Sequence, residues 1–174
     1  MSTSYDLKAA VPDADVPDAG VDSSVRRIVV PVRSPDGSAE ALAAAVRVCS
    51  STINGMLCLV HVRIYDPPRP RCPGPFYPET AAQATELLDE ALLTVWADGV
   101  RATTAVVNAP RGAVAAAIAA QAAAWRADMI VLTRRRRLAI SRLVLGSVAD
   151  QVMRKASCPV LTVHPVKGRV TGLR

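Results

Sequence analysis

Five short apolar runs recur along the chain: IVVPV (28–32), MLCLVHV (56–62), ATTAVVN (102–108), MIVLT (129–133) and PVLTV (159–163). Each is rich in β-branched residues and nearly continuous rather than alternating, the pattern of strands covered on both faces. Helix-like segments lie between them. Ser38–Val48 follows a Pro-Asp-Gly-Ser turn, and Glu79–Ala97 places Leu87, Leu88, Ala91, Leu92 and Val95 on one stripe. Gly112–Arg126 is almost all alanine, with Val114, Ile118 and Trp125 as its bulk, and Ser147–Ala156 is the last. The order β-α-β-α-β-α-β-α-β predicts an α/β fold: an open five-stranded parallel sheet with helices on both faces and right-handed crossovers.

In such a sheet ligands bind outside the carboxyl ends of the strands, near the point where strand order reverses. The residues that follow those ends are Arg33, then Arg63 with the loop YDPPRPRCPGPFYP (65–78), then Asn108, then Thr133 with Arg134–Arg137. The six-proline loop is long for a connection from strand to helix. It reads as a semi-rigid lid or binding loop, or as a variable surface loop.

Composition narrows the class. A chain of 174 residues predicts one domain, and with 51% apolar but only 3% aromatic residues its core is built from Val, Leu, Ile and Ala. No apolar run reaches the ~18 residues of a membrane span. Residues 1–24 carry five Asp, one Lys and two Val-Pro-Asp repeats; they resemble no signal peptide and are expected to be a disordered acidic tail. The folded domain is then 25–166, with a short basic tail at 167–174. Residues 25–174 hold 20 basic and 10 acidic side chains, a net of +10 that favours an anionic partner.

Candidate chemistry is sparse. No cysteine pair has CxxC spacing and there are two histidines, so no metal site is expected. Cys49, Cys58 and Cys158 sit in apolar stretches and read as buried thiols of a reducing, cytoplasmic protein. His61 lies inside a strand as a packed residue. No Ser/His/Asp set or carboxylate pair can be argued from spacing, so no catalytic residue is assigned. Nucleic acid is not an expected partner, because aromatic platforms are nearly absent and no DNA-binding motif appears.

The stretch VLTRRRRLAISRLVLGSVAD (131–150) is the exception. Ser147 and Asp150 have the spacing of a capping box at a helix start, which also offers free N–H groups to an anion. Arg134–Arg137 reads either as a solvated loop or as a set of guanidinium donors toward the same place.

With RIVVPV opening the domain, LVHV ending the second run, ADMIVLT forming the fourth and LVLGSVADQVMRKASCPVLTV closing it, residues 26–164 resemble the universal stress protein family. The resemblance implies a ligand site formed by Pro31, Val32, Arg33, Val62, Leu132, Thr133, Arg136, Gly146, Ser147 and Val148, with Arg134, Arg135 and Arg137 as further basic groups. ATP-binding members resemble Gly-x2-Gly-x9-Gly-Ser/Thr, with an aspartate after the first strand that contacts adenine. Here Gly146-Ser147 and Val62 keep the pattern. Thr133 and Arg136 stand at the first two glycine positions, and Arg33 stands at the aspartate. An arginine cannot accept the hydrogen bond a carboxylate takes from adenine. Asp36 could replace it only by moving three residues.

The expected function is therefore a stress-response protein that does not bind ATP in the usual way and works through contact with an unknown protein partner. The resemblance further implies a homodimer through the last strand, Pro159–His164. The alternatives are a sensor that binds a nucleotide or other polyanion in an arginine-rich crevice, and a slow ATPase. No cofactor is certain on this reading, and ATP or another nucleotide or polyanion is the ligand to test.

Overall fold

The structure is a computed structural model that describes residues 25–70, 73–134 and 148–164. Five parallel strands, β1 (Arg27–Pro31), β2 (Met56–Tyr65), β3 (Arg101–Pro110), β4 (Met129–Thr133) and β5 (Val160–Val163), form one sheet in the order β3-β2-β1-β4-β5. Helices α1 (Pro35–Ser50) and α2 (Ala81–Ala97) cover one face, and α3 (Val114–Ala124) and α4 (Val148–Lys155) cover the other. The expected open, doubly covered parallel sheet is the observed fold.

The two cores follow from the two-residue period of a strand. Ile28, Val30 and Val32 of the first strand pack with Leu57, Leu59 and Val131 under α1 and α2. Val29 packs with Cys58, Val60, Ile130 and Leu132 under α3 and α4. Ala115, Ile118 and Ala122 of α3 are buried there, and their small side chains let an almost featureless alanine helix sit on the sheet. At the amino end, Asp128 Oδ2 accepts from the backbone N–H groups of Arg26 (3.0 Å) and Arg27 (2.7 Å). The Arg27 guanidinium lies 4.4 Å from the centre of the Trp125 ring. These contacts fasten the start of β1 to the start of β4.

Three details differ from the sequence expectation. Helix α1 begins at Pro35, three residues before Ser38, because Ser34 is the cap: its side chain accepts from Gly37 N at 3.1 Å and Pro35 takes the first turn. Helix α2 begins at Ala81, because Thr80 caps it in a capping box with Gln83. The third is β3. It lies at a sheet edge, so Arg101, Thr103, Val106 and Asn108 are exposed rather than covered.

Burial also sets the thiols. Cys58 is pushed up to about 11, chiefly by burial, against the opposing pull of Arg27, and burial raises Cys49 and Cys158 as well. All three are held as thiols at neutral pH, the unreactive form. Cys158 is half-buried rather than fully enclosed, and Cys72 lies outside the described residues.

The turn between α1 and β2 is tight against the end of α1. A Cβ on Gly55 would meet Cys49 Sγ at 2.6 Å and Cys49 O at 2.7 Å. Gly55→Ala is expected to lower unfolding free energy by about 1–3 kcal/mol through overpacking, measured by urea denaturation.

Candidate functional site

Strand order reverses between β1 and β4, so their carboxyl ends form the crevice where this fold binds ligands. The strands there differ in length. β1 stops at Pro31, opposite Val60, whereas β2 and β3 stay paired for five more residues, to Tyr65 and Pro110. At ~3.3 Å per residue this two-stranded arm stands roughly 17 Å above the end of β1. It forms one wall of the crevice.

The floor holds several of the predicted positions. Val32 is buried and its N–H donates to Val60 O at 2.8 Å. Arg33 follows and is exposed, with its backbone N–H donating to Oγ of buried Ser38 at 3.0 Å. The main chain is thus fixed while the guanidinium is left in solvent. Pro31 and Val62 are half-buried and Leu132 is buried. Thr133, which the resemblance matched to the first glycine, has a buried hydroxyl with no hydrogen-bond partner among the described residues. By strand alternation it shares the face of Val131, under α1. Asp36 does not take the place of Arg33: it lies in the first turn of α1 and borders the groove between α1 and α2.

Across the crevice, Arg134 extends β4, its N–H donating to Val163 O at 2.7 Å. Its guanidinium pairs with Asp150 of α4, Nη2 to Oδ1 at 3.0 Å. Val148, at the start of α4, is exposed. Arg135, Arg136, Arg137, Gly146 and Ser147 lie outside the described residues, as does the capping bond proposed for Ser147.

The proline-rich loop is anchored to the arm at both ends by groups the sequence did not single out as a set. His61 Nδ1 donates to Val32 O at 2.8 Å, and Nε2 lies 2.8 Å from Glu79 Oε2. Val32 O can only accept, so Nδ1 is the donor of that bond. Two residues along the same face, Arg63 donates from Nη2 to Glu79 O at 2.8 Å and from Nη1 to Asn108 Oδ1 at 3.3 Å. The Arg63 guanidinium lies 4.4 Å from the centre of the Tyr77 ring, which packs on Tyr65 at 5.4 Å. Asp66 and Phe76 exchange backbone hydrogen bonds of 2.9 and 3.1 Å, and Arg111 reaches Asp66 at 3.6 Å. The described part of the loop is therefore a fixed wall. His61 is packed as expected, and it also ties β1, β2 and the approach to α2 together.

Among the described residues no group of three His, Cys, Asp or Glu is placed to hold a metal ion, and no helix is long and apolar enough to cross a membrane.

Comparison with known proteins decides the family. The sequence signature of the universal stress protein family matches residues 24–164. The chain belongs to the universal stress protein family. No curated protein sequence matches it. Among solved structures, a universal stress protein from Archaeoglobus fulgidus superposes with a TM-score of 0.61 at 25% identity, covering 79% of this chain and 97% of that one. A structure of the Archaeoglobus fulgidus protein in complex with dAMP gives 0.58 at 23% identity, covering 80% and 98%. An AMP-bound family protein from Arabidopsis thaliana gives 0.57 at 18% identity, covering 84% and 97%. This universal stress protein therefore shares its fold with nucleotide-bound relatives.

The double grip of Arg63 on the Glu79 carbonyl and the Tyr77 ring gives a direct test. Arg63→Met keeps the aliphatic stem and removes the guanidinium. It is expected to lower the melting temperature by a few degrees, a loss of about 1–2 kcal/mol, and to speed protease cleavage within 73–80. An unchanged cleavage rate would show that the loop holds without this clamp.

Proposed function

We propose that this universal stress protein acts in a stress response as a homodimer, through contact with a protein partner, and that its crevice selects for negative charge instead of serving as a conventional adenine-nucleotide site. The observation that carries the second part is Arg33. Its main chain is fixed by Ser38, its side chain is exposed, and it stands where ATP-binding relatives resemble one another in having an aspartate. Guanidinium groups recognise phosphate oxygens by charge-assisted hydrogen bonds. They offer no acceptor to the adenine amino group. The partly exposed Arg134–Asp150 pair tempers the positive field on the opposite side of the crevice.

The dimer reading rests on β5. It is a sheet edge with exposed Leu161, beside a helix that exposes Val148 and Met153. An apolar edge of this kind needs a cover, and pairing of two identical edges about a two-fold axis supplies one. Register selects the diagnostic residue. Val160 is opposite Ile130, and Ile130 N donates to Pro159 O, so the Leu161 N–H points inward to β4 while the N–H of Thr162 points outward.

Two outcomes follow. In thermal-shift titrations at low salt, tripolyphosphate is expected to stabilise the protein, adenosine to have no effect, and ATP to act no better than GTP. Asp150→Asn is expected to tighten anion binding about two- to fivefold, the scale of a partly exposed ion pair. Adenine-selective micromolar ATP binding, or ATP hydrolysis, would overturn the anion reading, as would indifference to every anion. In light scattering, Thr162→Pro is expected to shift dimer to monomer with little change in melting temperature. Leu161→Pro, by breaking an internal ladder bond, is expected to lower the melting temperature. A wild-type protein that is monomeric at micromolar concentration would remove the dimer.

A further inference from the structure

The acidic groups of residues 25–174 are not spread evenly. Of the ten, Asp66, Glu79, Asp128 and Asp150 are held by ion pairs or hydrogen bonds to the groups described above. The other six, Asp36, Glu40, Glu86, Asp89, Glu90 and Asp98, all lie on α1, on α2 or at the C-cap of α2. Arg47 is the single basic residue among residues 35–50 and 81–98. This layer therefore carries −5 on a body whose net charge is +10.

The layer also contains a groove. A cavity of about 250 Å³ runs between α1 and α2, with Leu42, Ala91 and Val95 as a buried apolar floor and Asp36, Glu90 and Asp98 as an acidic rim. An apolar trough edged by one sign of charge fits a segment of alternating apolar and basic residues.

The ten residues after His164 are such a segment. PVKGRVTGLR holds Lys167, Arg169 and Arg174, no acid, and Val166, Val170 and Leu173 as apolar groups. Residues 1–24, at −4, carry the wrong sign. Reach is sufficient. β5 ends at the same end of the sheet at which α1 begins, and α1 packs on β4 and β5 as well as on β1. Ten extended residues span roughly 33 Å. The full length of α1 is about 24 Å.

We propose that residues 165–174 dock in cis along the groove between α1 and α2, with their basic side chains on the acidic rim and their apolar ones on the floor. Attachment to β5 supplies this ligand at an effective concentration on the order of millimolar, so a weak contact is occupied.

Hydrogen exchange on the full chain tests the proposal. At low salt, amides 166–174 should exchange about tenfold more slowly than in the free peptide of the same sequence, and the slowing should vanish at high salt. The surface change Glu90→Lys with Asp98→Lys should abolish it, and adding Lys167→Glu with Arg169→Glu should restore it. Truncation after His164 should speed exchange at the exposed face of α2, with the melting temperature confirming that the fold survives. Free-peptide exchange rates for 166–174 at low salt overturn the proposal. So does protection that falls on dilution, which would assign the groove to a second copy, and so does protection unmoved by the charge reversals.

Discussion

The rest of the molecule is arranged by the need to cover β1. Ile28, Val29 and Val30 have no exposed surface at all. Such a strand needs a neighbour on each side and a helix layer on each face. β2 and β4 supply the first, and the two helix pairs supply the second. Placing β2 and β3 on one side and β4 and β5 on the other makes the chain reverse at β1. The amino end of the strand is closed by Asp128 and Trp125. Its carboxyl end cannot be closed in the same way, because the chain must emerge there to start α1. The crevice is thus a consequence of burying β1.

What stands at that opening depends on a few residues. A glycine-lined loop lets backbone amides approach a phosphate closely. An arginine works differently: it reaches the anion with a long, charged fork and needs no close approach of the main chain. If the crevice selects for negative charge as proposed, the second arrangement keeps attraction to phosphate while giving up control over its distance from the strand ends. On the proposed reading Arg33 compounds the change, since a cation offers no acceptor to a base. Arg134 is partly neutralised by Asp150, so the charge facing a ligand is smaller than the number of arginines suggests.

The strands and their order of appearance were legible in the sequence because each is a compact β-branched run. Positions at the carboxyl ends followed from topology alone. Helix starts were less legible, although Ser34-Pro35 and Thr80-x-x-Gln83 both carry recognisable capping chemistry that the apolar stripe outweighed. The clamp around Glu79 was missed for a different reason. It requires β2 to continue through Arg63, Ile64 and Tyr65, where the apolar run is broken by a charge. That continuation is stabilised by β3, which lies about forty-five residues further along the chain. Signals of that kind live in pairings between distant segments and have no local pattern. The pairing of Arg134 with Asp150 is hidden in the same way.

Charge separation gives the clamp a further consequence. With −5 on the α1–α2 layer, the remainder of the body carries +15. The loop wall stands at the boundary between the two regions, and Glu79 immediately precedes the acidic helix. Its carboxylate lies 2.8 Å from His61 Nε2 and its carbonyl accepts from Arg63. Both groups are rooted in the sheet, on β2. A loop that crosses from the basic crevice to the acidic layer is therefore fixed at the crossing by part-buried contacts, which salt screens far less than it screens the exposed charges on either side. The wall should keep its shape over a range of ionic strength in which the proposed attraction of an anion to the crevice changes strongly. Shape and charge in this site are governed by separate parts of the sequence, so a substitution at Arg33 can alter what is attracted without altering the wall it meets.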